Sequence, residues 1–468
     1  MKNRWITLFF CLLAGLSTAL ADGPFRNHRY DAFKVLKTST SDNIVFIGNS
    51  ITNMHEWWEA FGDTRILNRG VSGAVSDEVV ANLGSLVSGK PAKVFLMIGT
   101  NDLGTAGINN AAHVAGNVRA IVKYVKNVSP ATEIYVQSIL PSAKRNQTLQ
   151  RETNDSLRNI CAQENLTYID LWDALLPITN NSSYSLDQLH PCGEAYRIWC
   201  KAIEQYVGLS TTYPADAVNQ FGGLGNSEGM RLSAFGMLPV AEGDILLIGD
   251  EMVHGGEWHE LLGSGKVKSR GTGWGYPGPG IANLTKSVPV ILKGRADNGE
   301  PAKIFLYAGA ADANGSDAVS DIKTRYEALV AAVRANAPTA QIYVQALLPT
   351  SNASNNTNRV VPVNEALRQI AEANENVTYV DDYTPFVSNG VANTAYFNGN
   401  YLYGKGYAKL AQLLAAHMGE GVDAMTEEEA AAQYDLLTAR NTVAAAVAST
   451  SAYPAGEGVG QYSAESLK

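Results

Sequence analysis

Ser50 lies two residues beyond Gly48, at the end of the apolar run Ile44-Val45-Phe46-Ile47, a position from which a hydroxyl can act as a nucleophile. A serine hydroxyl is weakly nucleophilic at neutral pH, so acyl transfer through it needs a positioned base and a third group that fixes the base's tautomer. His190 and Asp187, in Asp187-Gln188-Leu189-His190, supply both residue types just ahead of a helical stretch. The tetrahedral intermediate also carries negative charge on the former carbonyl oxygen, where one preorganised donor is worth about 3 kcal/mol. Asn101 follows the run Val94 to Ile98 in Gly99-Thr100-Asn101-Asp102, and Gly73 closes Asn68-Arg69-Gly70-Val71-Ser72-Gly73. Singly, such residues are common turn and cap formers. Together, each near the end of an apolar run, they point to ester chemistry.

The elements that would position them follow from the hydrophobic pattern. Short β-branched runs alternate with stretches of helical period, such as Val114, Val118, Ile121, Val122 and Val125, which predicts βαβ units on a parallel sheet. In such sheets ligands bind beyond the carboxyl ends of the strands, where these candidate residues fall. The stripes themselves read as core faces.

The pattern occurs twice. Arg29, Phe33 and Leu36 lead into Ile44 to Ile47 and Gly48-Asn49-Ser50; Arg231, Phe235 and Leu238 lead into Ile245 to Ile248 and Gly249-Asp250-Glu251. Glu56-Trp57 matches Glu257-Trp258, Arg69-Gly70 matches Arg270-Gly271, and Tyr135-Val136-Gln137 matches Tyr343-Val344-Gln345. The second helical stripe is Ile322, Tyr326, Leu329, Val330 and Val333. The reading divides the chain into a leader (1–21), a first copy (22–212), a second copy (213–420) and a C-terminal helical appendage (421–468).

In this order and spacing the blocks resemble those of the SGNH/GDSL hydrolase family, over residues 28–208 and, in degenerate form, 230–418. The resemblance implies two flavodoxin-like three-layer α/β/α domains with parallel sheets. It implies a serine esterase with Ser50 as nucleophile, His190 as general base and Asp187 as its orienting carboxylate. The Ser50 and Gly73 amides and the Asn101 side chain would form the oxyanion hole, with no cofactor. Asn49 departs from the family's usual Asp. In the second copy Ser50, Gly73, Asn101, Asp187 and His190 are replaced by Glu251, Trp274, Ala311, Asn398 and Tyr401, so that copy is expected to be inactive. Trp258, Trp274, Tyr276, Tyr307, Tyr401 and Tyr403 would collect near its empty site, and aromatic faces suit stacking on sugar rings.

Lys2 and Arg4, the apolar run from Trp5 to Leu16 and Ala19-Leu20-Ala21 have the form of a secretory signal peptide cleaved after Ala21, which predicts a secreted or periplasmic protein. No run approaches the roughly 20 apolar residues of a spanning helix, so membrane insertion is not expected. A formal net charge of −9 argues against nucleic acid as a partner. Beyond the leader remain Cys161, Cys192 and Cys200, an odd number that leaves at least one thiol outside any intramolecular pair, and no metal-ligand spacing is present. The expected substrate is a small-molecule or glycan O-acyl ester, most simply an O-acetyl carbohydrate. The alternatives are a lipid ester, or a glycan-binding module with a vestigial site.

Overall fold

The computed structural model describes residues 23–214, 217, 219–238, 240–273, 278–292 and 299–452. The leader, Trp274 and Tyr276 lie outside the described residues. In the first copy β1 (Ile44–Gly48), β2 (Ile66–Gly70), β3 (Lys93–Met97), β4 (Glu133–Gln137) and β5 (Thr167–Ile169) form one sheet in the order β2-β1-β3-β4-β5. In the second, β6 (Ile245–Gly249), β7 (Val267–Gly271), β8 (Lys303–Tyr307), β9 (Gln341–Gln345) and β10 (Val377–Val380) repeat it as β7-β6-β8-β9-β10. Every pairing within both sheets is parallel. This is the expected flavodoxin-like order, and it reverses direction between the first and third strands, the point beyond which such sheets bind ligands.

The first strand of each sheet is apolar at nearly every position because helices cover both faces. All five residues of β1 and of β6 are buried. Phe46 stacks between Trp57 and Phe95, with ring centroids 4.4 and 4.8 Å away. Both helical stripes read from the sequence are buried, on the helices Ala111–Val128 and Val319–Asn336. Among the described residues no helix is long and apolar enough to cross a membrane. Cys161, Cys192 and Cys200 are all buried free thiols.

The two copies interlock about an approximate two-fold axis. The helix Gly23–Ala32, which leads the first copy, packs on Gly404–Ala415, the last helix of the second sheet unit. Reciprocally, Asn226–Phe235, which leads the second copy, packs on Gly193–Val207, the last helix of the first. Four buried ion pairs cross the interface in symmetry-related couples. Arg29 bonds Glu257, and its counterpart Arg231 bonds Glu56 at 2.6 Å. Arg69 makes a two-pronged contact with Glu260 (2.6 and 2.7 Å), and Arg270 does the same with Glu59 (2.7 and 2.8 Å). Phe33 lies under Arg29 and Arg69, and Phe235 lies under Arg231 and Arg270. Trp58 and His259, equivalent positions in the two copies, stack on each other across the junction.

The C-terminal appendage completes the assembly by returning to the first copy. Its helix, Glu427–Ala452, lies against the segments Ser76–Ala81, Leu83–Leu86 and Ala111–Val128. Tyr434 donates to Asp31 (2.6 Å), and the Asn441 side chain accepts from the Ser85 amide (2.6 Å).

Candidate active site

The turn from β1 into the helix Ser50–Asn53 is tight. A Cβ on Gly48 would lie 2.1 Å from Thr52 Oγ1 and 2.6 Å from the Met97 carbonyl, so only glycine fits there. Asn49 then caps the helix, its Oδ1 accepting from the Ile51 amide at 3.0 Å. This is the part that the family's Asp would play, so the change to Asn keeps the cap. Ser50 is left at the first helical position, 5% exposed, at the sheet's switch point.

His190 reaches it from the loop ahead of the helix Gly193–Val207. Ser50 Oγ and His190 Nε2 are 2.9 Å apart, and His190 Nδ1 lies 2.7 Å from Asp187 Oδ2. With Nδ1 donating to the carboxylate, Nε2 is left to accept the serine proton. The other Asp187 oxygen accepts from the Leu189 and His190 amides at 3.0 and 2.8 Å, so one carboxylate holds both the turn and the imidazole. Burial alone would raise the Asp187 pKa, but bonds from the His190 ring and from these amides outweigh it and hold the carboxyl down to about 2. Gln188 closes the turn with φ +63°, and its carbonyl accepts from Ser142 Oγ (2.8 Å) and the Ala143 amide (3.2 Å).

Gly73 and Asn101 arrive on neighbouring loops. Gly73 has φ +79°, a left-handed conformation that glycine adopts without strain, and its carbonyl accepts from Arg26 at 2.9 Å. One Asn101 amide hydrogen goes to the Ala74 carbonyl (3.0 Å), which fixes the side chain against the Gly73 loop. Asp102 ties the same loops together: it is fully buried and accepts from the Ser76 amide at 3.0 Å and from the Ser76 hydroxyl. The structure thus joins Ser50, His190 and Asp187 directly, with Gly73 and Asn101 linked through Ala74. Such a constellation can activate a hydroxyl and offer amide donors to a developing oxyanion.

Sequence reasoning missed Arg26, Ser142 and the bracing role of Asp102. Asp102 left a trace in its repetition as Asp312, which accepts from the Ile281 amide in the second copy at 2.9 Å. Another brace is Tyr196, whose hydroxyl donates to the Ile51 carbonyl at 2.8 Å and so connects the helix after His190 to the residue after Ser50. The remaining histidines stay outside the site. His28 and His55 are buried and neutral, pushed down to about 3 chiefly by burial, and His55 lies 2.6 Å from the Tyr213 hydroxyl.

The second copy keeps the frame with other residue types at the matching positions. Asp250 caps its helix as Asn49 does, donated to by the Met252 amide at 2.9 Å, and Glu251 takes the place of Ser50. Glu251 is 1% exposed, and among the described residues neither carboxyl oxygen has a hydrogen-bond partner. Burial, reinforced by Asp250, pushes it up to about 9. Of the rings expected to collect there, Trp258 and Tyr307 are core residues, 2% and 3% exposed, with the Trp258 indole donating to the Val253 carbonyl, while Tyr403 is half-buried. Trp258 opens the helix Trp258–Leu261 and Tyr307 ends β8, and both line a small interior cavity with Leu410 and Leu414 of the helix Gly404–Ala415. Tyr401 is half-buried, its ring 5.3 Å from that of His28 on the exchanged helix.

The sequence pattern of the GDSL-like lipase/acylhydrolase family matches this chain twice, over residues 46–198 and 255–422. Among curated proteins, it is similar to the platelet-activating factor acetylhydrolase IB subunit alpha2 of Gallus gallus, 26% identical over an alignment of 178 residues, with 35% of this chain and 76% of the relative covered. Among solved structures, an acetylxylan esterase variant from Geobacillus stearothermophilus is 17% identical with a TM-score of 0.32, covering 37% of this chain and 98% of that one. A carbohydrate esterase family 3 protein from Talaromyces cellulolyticus is 19% identical with a TM-score of 0.31, covering 36% and 98%.

Proposed function

We propose that this chain, which belongs to the GDSL-like lipase/acylhydrolase family and is a serine ester hydrolase, removes small O-acyl groups, chiefly O-acetyl, from carbohydrate. Ser50 attacks the ester carbonyl while His190 Nε2 takes its proton, and Asp187 stabilises the imidazolium that results. The Ser50 and Gly73 amides and the second Asn101 amide hydrogen receive the oxyanion. As the intermediate collapses and the C–O bond breaks, His190 gives the proton to the departing sugar oxygen, which leaves as a hydroxyl. Water, activated by the same imidazole, then releases the acid from Ser50.

The observation that carries the carbohydrate reading is the polarity of the rim. Arg26, Asn101, Thr105, Lys144, Arg145 and Gln188, on the segments that carry the site, have partly or fully exposed side chains; Val75, Ile108, Leu186 and Leu189 are partly exposed among them, but the most exposed large apolar residues, Leu176, Val361, Leu436 and Val443, lie on other elements. A long acyl chain needs a continuous apolar groove; a sugar needs hydrogen-bonding groups. The chicken relative, whose name is that of an acetylhydrolase, supports acetyl as the group removed and also favours a second reading, a phospholipid acetyl ester. We further propose that the leader directs the protein out of the cytoplasm. Contact of the second copy with a glycan would fall to Tyr401 and Tyr403.

The test is a substrate panel on the full chain: acetylated xylans and acetylated sialic acids, a platelet-activating-factor-type phospholipid, and p-nitrophenyl acetate against butyrate. The proposal expects acetyl over butyryl and acetylated saccharides over the phospholipid in kcat/KM. A phospholipid preferred by more than about tenfold, a difference of about 1.4 kcal/mol in transition-state binding, would replace it with the second reading.

A further inference from the structure

The helix that follows His190 begins at a residue capped by the other copy. The Gly193 amide donates to Ser233 Oγ at 2.9 Å, and Ser233 belongs to the exchanged helix Asn226–Phe235 of the second copy. Ser233 is itself fixed, donating to the Met230 carbonyl. The fit is close: a Cβ on Gly193 would lie 2.4 Å from the Ser233 carbonyl oxygen and 2.6 Å from Met237 Sδ. One turn earlier, a Cβ on Gly229 would come within 3.1 Å of Leu186, the neighbour of Asp187. Asn219, near the start of the second copy, donates to the Ser183 carbonyl at 2.7 Å. Residues 183–193, which include Asp187 and His190, are therefore held from outside their own sheet unit.

The same arrangement exists in mirror form where there is no catalytic site. The Gly404 amide, which opens the last helix of the second sheet unit, is capped by Asp31 of the first copy at 2.8 Å, and the residue at the position of His190 is Tyr401. One cap adjoins the base of a catalytic unit; its counterpart adjoins only a tyrosine.

We propose that the exchanged helix Asn226–Phe235 is a working part of the first copy's catalytic centre, with Ser233 as a positioning residue that sets the segment bearing Asp187 and His190 against Ser50. This rests on the catalytic assignment proposed above. It gives the second copy a role that needs no chemistry of its own: it is the partner that completes the first site. Displacement of a catalytic group by about 1 Å can cost 100-fold in rate, so a cap at this point acts on kcat rather than on substrate binding.

The experiment uses the full chain. Ser233→Ala, Ser233→Thr and Asp31→Ala are compared with the parent and with Ser50→Ala for kcat and KM on p-nitrophenyl acetate, for fluorophosphonate inactivation rate and for melting temperature. Ser233→Ala is expected to lower kcat about tenfold or more with KM within twofold, and to slow inactivation in parallel; Ser233→Thr, which keeps the hydroxyl, recovers most of the rate. Asp31→Ala lowers the melting temperature but leaves kcat within twofold. The proposal is overturned if Ser233→Ala keeps kcat within twofold, or if Ser233→Ala and Asp31→Ala lower kcat equally and in step with melting temperature. Should Ser233→Ala not fold, Ser233→Cys, a weaker acceptor of similar size, is held to the same criteria. Activity surviving in Ser50→Ala would instead sink the catalytic assignment, which separates that failure from this one.

Discussion

Ser50 and Glu251 occupy the same corner of the same frame, and the contrast shows what one side chain decides there. The serine hydroxyl finds a base 2.9 Å away; the Glu251 carboxyl finds no partner among the described residues and, being buried, retains its proton up to about pH 9. A carboxyl whose folded-state pKa lies above its unfolded value of about 4.3 binds its proton more tightly when folded. Its contribution to stability is complete below that unfolded value and is lost as pH rises through about 9. Glu251→Gln removes this dependence. Thermal unfolding at about pH 6 and pH 9 should show the parent losing more stability than the variant over that interval, with the variant the more stable at pH 9. Equal pH slopes would mean that Glu251 is not held neutral. At this scale the sequence was legible, because Ser50, Asp187 and His190 carry their chemistry in their residue types. The braces were less so: Arg26 and Ser142 act through carbonyl contacts with Gly73 and Gln188 that no local pattern announces.

At the scale of elements, the strands and helices follow from hydrophobic period, and both sheets match the expected order. What periodicity does not encode is the partner of each helix. Arg29, Glu56, Arg69, Phe33 and their repeats were visible as matching residues, and each reads naturally as scaffold within its own copy. In the structure they face the other copy, because a leading helix that crosses over brings like surfaces together about a two-fold axis. Removing one member of a buried ion pair leaves an uncompensated charge and costs about 3–5 kcal/mol, whereas the intact pair adds little net stability. Arg270 is fully buried with Glu59 as its two-pronged partner. Arg270→Ala is therefore expected to destabilise strongly, and Arg270→Met paired with Glu59→Leu to recover much of the loss, measured by denaturant unfolding of the full chain. A single variant as stable as the parent would show that the pair is not buried in solution.

Across the whole molecule, the two copies and the returning C-terminal helix form one interlocked unit in which, among the described residues, the Ser-His-Asp arrangement is seen in the first copy. The sequence division at residue 213 marks where the repeat begins again, while packing assigns each leading helix to the opposite sheet unit. The appendage likewise gave no sign in composition that Tyr434 and Asn441 would meet Asp31 and Ser85. The central claim is that one serine in this duplicated frame is activated. Treating the full chain with a fluorophosphonate and mapping the adduct by mass spectrometry tests it most directly. A single adduct on Ser50 is expected, lost in Ser50→Ala and strongly reduced in His190→Ala. An adduct on any residue of the second copy, or labelling of Ser50 that is indifferent to His190, would contradict it.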